Sequence, residues 1–184
     1  RRYLGNNPVC FTAPCQDEDP VCLDMATSVI TFNKVLAHQE ENKPVPPGVG
    51  ADEDGNETTD PFKVMHLLPV GGHKGYGLSF MVEILCALLT GMPFGAHISK
   101  MYNSPIEEKR NLGHFFVAVD IGVFVNLDLF KVRMKALSDE LRTEPAADSN
   151  NPVMVAGDPE KKCAMERMKT GIPLRDVDAR FYQQ

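Results

Sequence analysis

Residues 67–91 read LLPVGGHKGYGLSFMVEILCALLTG: Gly71, Gly72, Gly75 and Gly77 surround a single lysine, Lys74, and the run from Leu78 to Leu89 carries one charge, Glu83. Glycine supplies positive φ and lets a backbone approach another group closely. The continuous apolar run predicts a buried helix, stopped at Gly91-Met92-Pro93 by a C-cap residue followed by one that cannot continue. Amides at a helix start carry partial positive charge and can hold an anion, and Lys74 would add a point charge there. The two common phosphate loops are excluded: G-x-G-x-x-G does not occur, and Lys74 is followed by Gly75 rather than Ser or Thr. Read alone, the same letters also describe a tight turn whose glycines only admit close packing.

The 184 residues are 43% hydrophobic, enough for one core of ordinary size, so a single domain spanning 1–184 is expected. Nineteen basic against twenty-five acidic residues give a net charge of -6 without a basic stripe, which argues against nucleic acid and leaves small anionic ligands open. Cys10, Cys15, Cys22, Cys86 and Cys163 lack C-x-x-C spacing and point to a reduced, cytoplasmic protein. The Leu78–Leu89 run is too short for ~30 Å of hydrocarbon, so no membrane span is expected. None of His38, His66, His73, His97 and His114 has a partner at H-x-x-x-H spacing, which argues against zinc. Glu83, within the apolar run, is costly to bury unpaired and requires a hydrogen-bonding partner or a cavity edge.

Outward from that stretch, PVCFTAP (8–14) and PVCLD (20–24) are short β-prone runs around an acidic turn and predict a hairpin. Asp24 then precedes MATSVITFNKVLAH, whose apolar spacing predicts a helix over about 25–38 capped by Asp24, with Thr27 and Ser28 in its first turn. The connection ENKPVPPGVGADEDGNETTDPF is expected to be ordered by turns rather than by a core. It is not an EF-hand: counting from Asp52, the sixth position is Glu57 and the twelfth is Lys63, while Asp54-Gly55 reads as a turn. Lys109 and Arg110 precede HFFVAVDI (114–121), which reads as a buried strand; a guanidinium there can grip a carboxylate in two hydrogen bonds or simply stay solvated. Leu127, Phe130, Met134, Leu137 and Leu141 make an amphipathic helix with Asn126 as cap. PVMVAG predicts a strand, and Asp158-Pro159 opens a last helix to about Lys169, with Gly171 past its end. Strands alternating with helices give an α/β class.

Taken in order, LGNNPVCFTAP, LDMATS, PPGVGADEDGNETTDP, LLPVGGHKGYGLSFMVEILCALLTG, RNLGHFFVAVD, GDPE and GIPL resemble the malate/L-lactate dehydrogenase family outside the Rossmann class, which includes ureidoglycolate, sulfolactate and diketogulonate enzymes. The resemblance covers nearly the whole chain. It implies a sulfolactate dehydrogenase-like fold, a mixed sheet with flanking helices, and a homodimer of chains about double this length. RRYLGNNP, with a first methionine only at Met25, reads accordingly as the start of a C-terminal portion. The resemblance assigns NAD or NADP to Asp24, Met25, Ala26, Thr27 and Ser28, to Lys74 and Gly75, and to Gly157, Asp158 and Glu160. It assigns the substrate carboxylate to Arg110. The implied reaction interconverts a 2-hydroxy acid and its 2-oxo acid, malate first; ureidoglycolate, or a dinucleotide-binding module without turnover, are the alternatives. The family's catalytic histidine has no counterpart among the five here, so its place is expected upstream of residue 1.

Overall fold

The computed structural model describes residues 4–100, 104, 105, 107–174 and 179. It contains two compact units, the first made of Arg1–Cys10 and Asp24–Val119, the second of Phe11–Leu23 and Asp120–Gln184. Strands β1 (Val9–Ala13) and β2 (Val21–Met25) pair in a two-stranded sheet, as the two proline-bounded runs predict.

In the first unit, helix α1 covers Phe32–Glu40. The expected start at residue 25 is wrong, and Asp24 is not its cap. β2 extends through Met25, and the bent chain beyond it pairs with another segment: Thr27 O accepts from Val70 N at 2.9 Å and Val29 N donates to Leu68 O at 2.9 Å. Backbone pairing to a distant segment overrides the helical spacing of the apolar residues. The helix instead starts after Thr31, whose side chain makes no capping bond.

The polar connection that follows holds the core of this unit. Val45, Val49 and Val64 pack with Val35 of α1, all at or below 3% exposure, with Ile30 and Leu67 against them. The expectation of turns without a core therefore fails, because three valines separated by prolines and acids carry no periodicity to read. Strands β3 (Gly50–Ala51) and β4 (His66–Leu67) pair antiparallel across this core, Gly50 opposite Leu67. The expected turn is present: Asp52 Oδ1 accepts from Asp54 N and Asn56 N, and Gly55 has φ 90°. Those amides hold the Asp52 carboxyl below its ordinary range.

Helix α2 (His73–Glu83) continues through a π-helical turn, Ile84–Leu88, and ends as expected: Gly91 has φ 71° and Met92 N donates to Ala87 O. The expected burial does not hold along its length. Gly75, Ser79, Val82, Glu83 and Ala87 are buried, but Tyr76, Phe80, Met81, Leu88 and Leu89 are exposed. Likewise, 114–121 is not a buried strand: Phe116 is 88% exposed and residues 114–120 have no regular structure. An apolar run specifies that a surface will be covered, not by what, and no neighbouring strand pairs with it among the described residues.

In the second unit, α3 (Leu127–Thr143) begins at Asn126, whose Oδ1 accepts from Leu129 N. Its apolar stripe is only partly covered, Leu127, Leu137 and Leu141 remaining exposed. Residues 152–156 are not the predicted strand. They run irregularly into α4 (Asp158–Thr170), which ends at Gly171 as expected but begins one residue early, Gly157 rather than Asp158 being its N-cap because the Asp158 carboxylate is taken by Arg142 and Val155 N. All five cysteines are free thiols. No helix among the described residues is long and apolar enough to cross a membrane.

Candidate functional site

The first unit joins two of the segments singled out in the sequence. Residues 27–29 lie beside 68–70, with Thr27 and Val29 hydrogen-bonded across and Ser28 opposite Pro69. The chain then turns through Gly71 and Gly72, both at positive φ, directly into α2. Such angles strain a residue that carries a Cβ, so glycine is favoured there. Gly75 serves a different purpose from the one its motif suggests. A Cβ on it would lie 1.8 Å from Val70 O, so its lack of side chain lets the first turn of α2 sit on the chain's own backbone.

The result is a helix start without a side-chain cap. Lys74 is exposed on it, and among the described residues neither Lys74 nor Arg110 joins an ion pair. Uncapped amides beside an uncommitted cation are the chemistry an anion requires. Asp24 is exposed at the end of β2, Thr27 is buried, and Met25, Ala26 and Ser28 are half-buried. Ser28 donates to Ile30 O at 2.6 Å and lies 2.9 Å from Asn6 Oδ1.

Glu83 finds its partners. Its carboxylate accepts from Asn7 Nδ2 at 2.8 Å and from Gly95 N at 2.5 Å, while Asn7 also donates to Ser79 O. This ties the LGNNP segment to the middle of α2. Arg110 is half-buried near the opposite end of that helix. Three residues on, Gly113 packs so closely that a Cβ would meet Cys86 O at 1.8 Å and Thr90 Oγ1 at 2.3 Å. Lys74 and Cys86 are about 18 Å apart along a helix axis. Gly113 therefore packs at the end of this helix away from Lys74.

The third segment belongs to the second unit. Gly157 has φ 94°, and a Cβ on it would approach Cys22 O at 3.2 Å and Cys22 N at 3.3 Å; Cys22 N donates to Ala156 O. The Asp158 carboxylate is fully engaged: Oδ2 accepts from Val155 N and Arg142 Nε at 2.9 Å, and Oδ1 from Arg142 Nη2 at 2.8 Å. Arg142 also meets Glu18, Nη2 to Oε2 at 3.2 Å, and Cys15 donates to Glu18 Oε1. The Arg142 guanidinium holds the Asp158 carboxyl below its ordinary range; the Cys15 thiol and then Arg142 do the same for Glu18. Burial, then Glu18, pushes the Cys15 thiol up, which disfavours the thiolate. Glu160 is exposed.

Against known proteins, the family model for malate/L-lactate dehydrogenase matches residues 1–180. The chain belongs to this family. A ureidoglycolate dehydrogenase (NAD(+)) from Escherichia coli is 35% identical over 95% of this chain and 50% of its own length. A malate dehydrogenase from Pyrococcus horikoshii is 34% identical over 94% of the chain and 49% of its own length. The solved sulfolactate dehydrogenase from Methanocaldococcus jannaschii superposes with a TM-score of 0.83 at 31% identity, covering 96% of this chain and 50% of that one. A Delta(1)-pyrroline-2-carboxylate/Delta(1)-piperideine-2-carboxylate reductase from Pseudomonas putida is 47% identical, but over half of the chain. The chain spans about half the length of the curated relatives it matches. Its mixed α/β fold is that of the malate/L-lactate dehydrogenases.

Within this chain, the sequence singles out Asp158 but not the partners that hold it. Arg142 and Glu18 lie 16 and 140 residues before it, and a lone arginine in a last helical turn reads as a solvated charge favoured by the helix dipole. Asn7 was equally invisible; the only hint was that Glu83 needed some partner.

Proposed function

We propose that the protein carrying this chain is an NAD(P)-dependent oxidoreductase that interconverts a 2-hydroxy acid and its 2-oxo acid, with malate as substrate and ureidoglycolate as the alternative. The observation that carries this reading is the pairing of residues 27–29 with 68–70, which sets Asp24–Ser28 beside the uncapped start of α2 and Lys74. Family membership supports it. These residues of the first unit fit a dinucleotide: helix-start amides and Lys74 for its phosphates, and the exposed carboxylate of Asp24 as an acceptor for a ribose hydroxyl. Within the second unit, Glu160 is exposed, whereas the Asp158 carboxylate is already taken and leaves only its backbone to offer a nucleotide.

When bound, the nicotinamide supplies the hydride chemistry. Arg110 grips the substrate carboxylate and fixes which carbon faces that ring, a matter of orientation. Gly71, Gly72 and Gly75 hold Lys74 in register with residues 24–28. The hydroxyl proton is assigned to no residue of 1–184. We place the protein in the cytoplasm as a homodimer acting on small molecules. A second reading is reduction of a cyclic imine 2-carboxylate, favoured by the 47% identity to the reductase over 94 residues.

The test is titration of NADH and NADPH fluorescence, followed by a panel of malate, lactate, ureidoglycolate, sulfolactate and piperideine-2-carboxylate. Arg110→Ala should raise KM for the 2-oxo acid about ten- to hundredfold, the scale of a charge-assisted contact, and leave nucleotide Kd unchanged. An unchanged KM removes Arg110 from the site. No nucleotide binding under any condition removes the whole reading.

A further inference from the structure

Four fastenings converge on the start of α4, all within the second unit. Arg142, in the last turn of α3, grips both oxygens of Asp158 side-on. The same guanidinium reaches Glu18 and Asp139. Ala156 O accepts from Cys22 N at 3.2 Å, and Lys161 Nζ donates to Asp19 O at 2.8 Å. Asp158 then returns a bond to Val155 N, closing a tight turn around Gly157 at φ 94°.

Residues 155–157 lie outside helix and strand, with Asp158 N donating to Val155 O and Cys22 N to Ala156 O, and Pro159 offers no N–H. The Asp158 carboxylate adds the side-chain bonds that close this turn and tie it to Arg142. Among the described residues, Arg142 alone joins three elements at once: the end of α3, the connection carrying Glu18, and the α4 start. Its planar fork matches a carboxylate in a way a lysine ammonium cannot.

We propose that Arg142 is a positioning residue for the Gly157–Glu160 segment, setting its nucleotide affinity by clamping Asp158 rather than by touching the ligand. The ligand part of this inference rests on the proposed function. The clamp part does not.

The experiment uses the full protein and the variants Arg142→Ala, Arg142→Lys and Asp158→Asn, with Lys135→Ala as control because that lysine pairs only with Asp139. Hydrogen exchange is read first, without nucleotide. Amides of 155–161 should exchange about tenfold faster in Arg142→Ala, intermediate in Arg142→Lys and unchanged in Lys135→Ala, with the rest of α4 protected. NADH or NADPH titration should then show Kd weakened about tenfold in Arg142→Ala and partly restored in Arg142→Lys, the expected scale for a charge-assisted bond acting indirectly. Unchanged exchange in Arg142→Ala and Arg142→Lys overturns the clamp. Faster exchange with unchanged Kd overturns its role in affinity. If the unmodified protein binds no nicotinamide nucleotide, the proposed function fails and so does the affinity role, while exchange still decides the clamp. Should Arg142→Ala not fold, Arg142→Lys and Asp158→Asn give the same readings.

Discussion

Gly75 and Gly77 sit two residues apart in α2 and call for opposite responses to the same substitution. A Cβ on Gly75 would stand 1.8 Å from Val70 O, 2.8 Å from Val70 C and 3.0 Å from Val70 N, all backbone atoms with no rotamer to change. Restoring a normal contact moves the helix start or Val70 by roughly 1.2 Å or more. Val70 N is bonded to Thr27 O, so that displacement strains the pairing that joins the two segments. Overpacking costs about 1–3 kcal/mol and a lost hydrogen bond about 1 kcal/mol more, so Gly75→Ala should destabilise by about 2–4 kcal/mol. Gly77 has nothing within 4 Å of its built Cβ and lies exposed in the helix. There Ala replaces a poor helix former and should stabilise by about 0.5–1 kcal/mol. Urea unfolding followed by far-ultraviolet circular dichroism measures both, and nucleotide titration should show binding lost only in Gly75→Ala. Equal midpoints for the two variants would refute the argument that Gly75 is there to let backbone meet backbone.

Glu83→Gln should lower stability by about 2 kcal/mol, since glutamine presents an NH2 to one of two donors, Asn7 Nδ2 and Gly95 N, that now meet carboxylate oxygens; an unfolding midpoint equal to that of the unmodified protein contradicts it. Asp158 and Glu18 have carboxyls depressed below their unfolded values, so their contribution is complete above the ordinary carboxyl range and is lost as pH falls through the depressed values. Urea midpoints measured from about pH 6 to about pH 2 should therefore fall on the acid side, and Arg142→Met should flatten that fall; parallel curves would rule the linkage out. Gly157→Ala should cost about 1–2 kcal/mol for a left-handed conformation, plus the approach to Cys22, and should be visible as a lower Tm.

Local rules located what they govern. Asn126 caps α3, Gly171 ends α4, Gly91 ends the helix that starts at His73, and Asp54-Gly55 makes a turn, because each of these acts over four residues or fewer. The ordered motifs from LGNNP to GIPL sufficed to reach the family. The start of α1, the valine core in the polar connection, the absence of a strand at 114–121 and the engagement of Asp158 were not legible. Each depends on which distant segments meet: 27–29 with 68–70, Val35 with Val64, Arg142 with Asp158.

By itself, then, the sequence determined the cap of α3, the ends of α2 and α4, the turn at Asp54-Gly55 and the chemical character of each candidate segment. The tertiary structure alone decided that Asp24 and Met25 end a strand and that residues 27–29 pair with 68–70 rather than forming a helix, that Gly75 faces its own backbone, and that Arg142 holds Asp158. A backbone hydrogen bond or a side-on guanidinium contact needs a partner within about 3 Å. Proximity between residues tens of positions apart is set by the packing of the chain and by no property of either residue.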